Sequence, residues 1–218
     1  METKAIVVVG AGPGVGASVA RRFGREGYDV GLVARSPETL ERLESDLRAA
    51  GVTATSAPVD ITDQAGLTGA VEGLAARLGH IDVLHFNPSV FRHADPLHLS
   101  AGDLLDDLHV GVAALLTAVQ AARPAMTSGA RITVTGSMAA DHPWHEACSL
   151  GVQKAALRNL VLSLDTALAP EGIRATSLTV RGTLAPDTAF TPDRVADAIY
   201  AAATQPADSW RPEVAYRG

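Results

Sequence analysis

The stretch Ile6-Val7-Val8-Val9-Gly10-Ala11-Gly12-Pro13-Gly14-Val15-Gly16-Ala17 restricts the fold more than any other part of the chain. β-Branched and apolar residues in succession read as a strand buried on both faces, as in a parallel sheet. A glycine-dense turn follows at once, and residues 17–27 continue as a helix, with Val15, Val19 and Phe23 at helical spacing. Strand, glycine turn and helix in that order form a cradle for an anion. The free N–H groups at the helix start point at it, and a Cβ at the wrong position would hold a pyrophosphate off. Glycines at 10, 14 and 16 give a G-x-x-x-G-x-G spacing, while G-x-G-x-x-G is met only in part because its sixth position is Val15. Gly10, Gly12, Gly14, Val15 and Gly16 are therefore candidate nucleotide-binding residues; the alternative is a tight strand-to-helix turn without a ligand.

The rest of the chain alternates in the same way. A second strand, 28–33, ends in Ala34-Arg35-Ser36, and Ser36 caps a helix with Pro37 at its first position, running to Gly51. Further strands are expected at 52–59, 81–86, 131–135 and 173–180, with a seventh at the edge over 213–216. Helices are expected at 63–78, 101–126 and 149–169, and a short last one opens at Thr191-Pro192. Residues 138–148 read as irregular. Alternating strands and helices with right-handed crossovers give one domain over residues 1–218: an α/β, Rossmann-type doubly wound parallel sheet of six to seven strands with helices on both faces. Ligands of such sheets lie beyond the carboxyl ends of the strands. Gly10, Asp60, Asn87, Ser137 and Val180 should therefore converge on one crevice.

What stands at the end of the second strand selects the cofactor. An acidic residue there binds the ribose hydroxyls of NAD, whereas a basic one accommodates the 2′-phosphate of NADP. Asp29 comes too early, Ala34 takes the acidic slot and Arg35 follows, which favours NADP(H) over NAD(H); otherwise Arg35 is a solvated charge at a helix entry. Asp60, followed by Ile61, either hydrogen-bonds an adenine or caps the next helix.

Composition narrows the partners. A net charge of -6 argues against nucleic acid and anionic membranes. Cys148 is the only cysteine, so neither an intramolecular disulfide nor a cysteine metal cluster can form, and no histidine–carboxylate spacing suggests a metal. The chain runs from Met1-Glu2-Thr3-Lys4 straight into the first strand, and the apolar run at 110–119 is about half of what a bilayer span needs. A cytoplasmic protein is expected.

With these elements in place the chain resembles the short-chain dehydrogenase/reductase family over nearly its whole length. The resemblance rests on the glycine turn, Asp60, Asp82-Val83-Leu84 before an asparagine turn, Ser137 at the end of the fifth strand, Lys154, and Gly172-Ile173-Arg174 entering the sixth strand. It implies hydride transfer between a nicotinamide and a small alcohol or carbonyl. It further implies that Ser137 orients the substrate oxygen, that Lys154 holds the nicotinamide ribose, and that a tyrosine four residues before the lysine acts as general acid. That position is Leu150. The family's helix asparagine, which holds a relay water, falls on Gly111; of the Asn-Asn-Ala-Gly turn only Asn87 remains; and Arg181-Gly182 replaces Pro-Gly. Only about eight residues separate Gly182 from Thr191, so the usual substrate-covering insertion is short.

Leucine cannot donate a proton. A substitute donor could be His142 or His145, which lie in the loop before the lysine helix; Cys148 could have a lowered pKa at a helix start but reads more readily as a small buried thiol. Beside an oxidoreductase with an atypical donor stand a non-redox isomerase, dehydratase or cyclase and an inactive NADP(H)-binding protein on the same scaffold. The helices at 101–126 and 149–169 carry more apolar residues than one sheet face needs, and the family pairs these helices across a two-fold axis, so a homodimer or homotetramer is expected.

Overall fold

The computed structural model describes residues 3–218; Met1 and Glu2, at the start of the run into the first strand noted above, lie outside the described residues. Seven strands form one sheet in the order β3-β2-β1-β4-β5-β6-β7. They are β1 (Ala5–Val9), β2 (Asp29–Ala34), β3 (Ala54–Pro58), β4 (Val83–Phe86), β5 (Arg131–Ser137), β6 (Arg174–Val180) and β7 (Glu213–Tyr216). Every pairing is parallel, and β7 joins the edge as expected, with Ser177 opposite Glu213. The chain reverses its direction of travel across the sheet between β1 and β4, where Val9 stands opposite Phe86.

The central strand shows why both faces are covered. Val7 and Val9 enter one core with residues of α3 (Gln64–Leu78), α5 (Ala114–Ala122) and α6 (Cys148–Leu168). Ile6 and Val8 enter the other with α1 (Val15–Arg25), α2 (Pro37–Ala49) and α7 (Pro192–Ala203). All five residues of β1 are buried, which is why the strand reads as a continuous apolar run rather than an alternating one.

Helix starts follow local chemistry. Ser36, Asp63 and Thr191 each accept the N–H three residues on, from Thr39, Gly66 and Arg194. Asp63, not Asp60, is thus the cap of α3, and Asp60 is left to the carboxyl edge of the sheet.

The stretch at 101–126 departs from the single helix expected. It consists of α4 (Ala101–Leu108), a π-turn at His109–Ala113, α5, and a 3₁₀ turn at Arg123–Ala125. Gly111 lies in the π-turn against the side chain of Gln153: a Cβ on Gly111 would stand 2.5 Å from Oε1. One extra residue in the turn re-phases the helix around that contact. At the far end Pro124 has no N–H to continue the ladder, and the helix tightens and stops. The irregular segment at 138–148 holds one 3₁₀ turn, Met138–Ala140, whose start is capped by Ser137.

Candidate active site

Two adjoining cavities open at the carboxyl edge of the sheet. The larger, about 840 Å³, runs from Arg35, Ser36 and Thr39 past Asp60 and Ile61 to Gly10 and Gly12, ending at Asn87, Ser89 and Val110. The smaller, about 270 Å³, shares Asn87 and Ser89 with it and continues to Thr135, Ser137, Leu150, Lys154 and Val180. The expected convergence of strand ends is therefore present, as two linked chambers rather than one crevice.

The glycine turn is shaped for a diphosphate. α1 opens at Gly14 with no side-chain cap, so its first N–H groups point outward. A Cβ on Gly12 or Gly14 would meet nothing within 4 Å, so the space beside the turn is open to a ligand. Gly16 differs: its Cβ would stand 2.2 Å from the Gly10 carbonyl oxygen, so this residue serves the close packing of α1 on β1. Gly10 has φ +87°, a conformation side chains resist. Val15 lines the smaller cavity. These residues fit the diphosphate of a dinucleotide.

At the outer end, Arg35 is exposed and its charge reaches Asp60. Asp60 accepts the Thr62 N–H at 2.9 Å and its hydroxyl at 2.8 Å, which holds the carboxylate ionised below its ordinary range.

Between the chambers a buried polar chain ties together β1, β4 and β5. The Asn87 amide donates to the Gly10 carbonyl at 3.2 Å. The Thr135 hydroxyl donates to Asn87 Oδ1 at 2.8 Å, and His85 Nε2 lies 3.4 Å from that hydroxyl. His85 Nδ1 in turn lies 2.8 Å from the Thr133 hydroxyl. Since Thr135 spends its proton on Asn87, Nε2 donates and Nδ1 accepts, a neutral tautomer. Burial, together with the charge of Lys154, lowers the imidazole to about 3. Sequence reading does not single out His85 or Thr135; His85 sits in a continuously buried apolar strand and Thr135 in a strand alternating threonine with apolar residues, patterns that signal burial and nothing more.

Lys154 and Leu150 lie one helical turn apart on α6 and both line the smaller cavity. Lys154 Nζ donates to the Thr135 carbonyl at 2.8 Å, and burial lowers its pKa to about 8. Ser137 accepts the Ala139 N–H at 3.2 Å and keeps its own proton free. Gln153, the residue between, turns away: it accepts the Val90 N–H and donates to the Val90 carbonyl, both at 3.1 Å, fixing the loop that carries Ser89. It fills the space beside Gly111, a pairing no spacing rule could have revealed. His142 and His145 are both exposed and line neither cavity. Cys148 is half-buried at the start of α6, also outside both.

A doubly wound parallel sheet with an uncapped glycine turn and a cleft across its reversal point defines a dinucleotide-binding α/β protein. The family model described as short chain dehydrogenase matches residues 4–193. Oxidoreductase UcpA of Escherichia coli K12 is 32% identical over 181 residues, covering 80% of this chain and 67% of that protein. A metagenomic short-chain oxidoreductase solved in complex with NADP superposes with a TM-score of 0.87 at 28% identity, over 98% of this chain and 96% of that one. A short chain dehydrogenase from Burkholderia cenocepacia J2315, also in complex with NADP, gives 0.87 at 27% identity over 97% and 95%. The chain belongs to the short-chain dehydrogenase/reductase family, a family of oxidoreductases that bind nicotinamide cofactors.

Proposed function

We propose that the chain is an NADP(H)-preferring oxidoreductase of a small carbonyl or alcohol, with Leu150 standing where the family has its tyrosine acid. The observation that carries this reading is the continuous cleft from Arg35 and Ser36, across the glycine turn, to Ser137 and Lys154. Arg35 and Ser36 would hold the 2′-phosphate. The N–H groups of α1 with Gly10, Gly12 and Gly14 would hold the diphosphate, while Gly16 and Val15 shape the turn. Asp60 and Ile61 would flank the adenine, and Asn87 and Lys154 the nicotinamide half. A bound nicotinamide supplies or accepts the hydride. Ser137 would donate its free hydroxyl proton to the substrate oxygen and so fix the carbonyl, and Lys154 would hold the ribose hydroxyls. The two family members solved with NADP support the cofactor assignment.

Titration of the nicotinamide fluorescence tests it. NADPH is expected to bind at least about tenfold more tightly than NADH, and Arg35→Asp to remove that margin while sparing NADH, since a charge-assisted bond to a phosphate contributes about 1.5–3 kcal/mol. Equal affinities in the native protein discard the preference; no binding of either discards the whole reading. Leu150 favours a second reading, an inactive or non-redox NADP(H)-binding protein, which a panel of small aldehydes and ketones separates from the first.

The groove lined by Leu105, Leu108, Val112, Leu116 and Leu160 supports self-association into a homodimer or homotetramer through α4–α5 and α6. The 101–125 stretch is apolar enough by composition to cross a membrane, with a mean hydropathy of 1.3, but Ala114, Leu115, Ala118 and Val119 pack into the sheet core. That packing, with the lone free Cys148, supports placing the protein in the cytoplasm.

A further inference from the structure

We infer that Lys154 is itself the proton donor of the reaction, replacing the acid that Leu150 cannot supply; this rests on the oxidoreductase reading above. The smaller cavity is lined by Val15, Asn87, Ser89, Thr135, Ser137 and Leu150, by apolar and glycine residues of β6, α7 and the loop between them, and by Lys154. Lys154 is the one side chain among them able to exchange a proton near neutrality. The other candidates are elsewhere. His142 and His145 are exposed outside the cavity. His85 is fully buried behind Thr135. None of the three tyrosines lines the cavity: Tyr28 packs on Phe23, the Tyr200 hydroxyl donates to Glu26, and the Tyr216 hydroxyl donates to the Ala189 carbonyl.

The geometry leaves the ammonium free to act. One of its N–H bonds is fixed on the Thr135 carbonyl. A second would serve the ribose of a bound cofactor, and the third would be left for a substrate oxygen held by Ser137. Leu150, on the same cavity wall, has no polar atom to compete for the amine. The surroundings leave the amine without a counter-charge. On β4 the facing titratable group is the neutral His85. On α6 Arg158 is ion-paired to Glu213 of β7, and after β6 Arg181 is ion-paired to Asp141. In α4 Asp107 is held by Arg92. Burial without a carboxylate partner brings the amine to about 8, within reach of a proton-transfer role at working pH.

In the reducing direction the carbonyl carbon would take the hydride that a bound reduced nicotinamide supplies, while an N–H bond of Lys154 breaks and its proton goes to the carbonyl oxygen. The hydride pair would form the C–H bond and the C=O π pair the O–H bond, leaving the nicotinamide oxidised, and the neutral amine would regain a proton from water entering the emptied cavity. Oxidation of the alcohol runs the same transfers backwards, with the neutral amine taking the hydroxyl proton.

The first test needs no cofactor. In protein labelled with ¹³C at lysine Cε, the resonance lost in Lys154→Arg should titrate with a midpoint of about 8; a midpoint near the ordinary value of 10.5 overturns the inference. The second follows reduction of small aldehydes by NADPH. The native kcat/KM should fall tenfold per pH unit above about 8. In Lys154→Arg, which keeps the charge but gives up no proton, the rate at saturating NADPH should drop about 10²-fold or more and that limb should vanish. A variant that keeps the native rate and limb overturns the inference while leaving the oxidoreductase reading intact. Failure of the native protein to bind either nicotinamide removes that reading instead, and the amine titration still decides whether Lys154 is the low-pKa group claimed.

Discussion

At the scale of single residues, two side chains set apart what the site can do. His85 is neutral in the folded chain because burial lowers it from 6.5 to about 3. Between those values the unfolded chain binds a proton that the folded chain refuses, so stability is complete above pH 6.5 and is lost as pH falls. From pH 6.5 to about pH 4 this single group should cost roughly 3 kcal/mol. Urea midpoints measured across that range should fall further in the native protein than in His85→Asn; parallel curves would show that the imidazole is not the buried neutral group described. In the proposed reaction Leu150 bears on turnover rather than stability. Leu150→Tyr returns a phenolic acid one helical turn from Lys154 and should raise turnover of small ketones by up to about 10²-fold. An unchanged rate would mean that proton donation does not limit the reaction.

Among the elements, the first strand–turn–helix unit separates fold from binding within four residues. Gly16 lies against the Gly10 carbonyl, and Gly12 faces open space. Gly16→Ala should therefore destabilise the protein by about 1–3 kcal/mol, since α1 has to lift off β1 to admit a methyl group. Gly12→Ala should unfold at the native temperature and lose affinity for NADPH, because its methyl group occupies the space meant for the diphosphate. Thermal melts and nucleotide titrations on the two variants read the two effects apart; a destabilised Gly12→Ala would contradict the open space seen beside it. The π-turn at 109–113 makes the complementary point. The local sequence, rich in alanine, leucine and valine, specifies a helix, and only the Gln153 side chain arriving from α6 explains where its phase shifts.

For the whole molecule, the question is what covers the face of α4, α5 and α6 opposite the sheet. Leu105 is 65% exposed and Leu116 41%, flanking an apolar groove, which is more apolar surface than an isolated chain needs there. Light scattering at micromolar concentration should give at least a dimer, and Leu116→Glu should shift it toward monomer without changing the melting of the subunit by more than the small amount an exposed site allows. A native monomer would show that the face is simply tolerated.

The same scale shows how far the amino-acid order reaches. Strand and helix periodicities, caps such as Ser36 and the uncapped glycine turn are local, so the sheet's class, its parallel strands and the place of the cofactor cleft were all legible from neighbouring residues in the chain. Leu150 and Lys154 could be set on one helix face for the same reason. Asp60 against Asp63 as the cap was not legible, since both fit the pattern and only the observed turn chooses. The histidines at 142 and 145 stand near Leu150 along the chain, and only the folded loop shows that both are exposed and line neither cavity. The His85–Thr135–Asn87 chain, the seat of Gln153 beside Gly111 and the solitude of Lys154 in its cavity each depend on residues about 20 to 80 positions apart meeting through the sheet register. Periodicity and turn chemistry act over a few residues and fix the scaffold; hydrogen-bond partners and desolvation depend on what packing brings together, and those only the folded chain could decide.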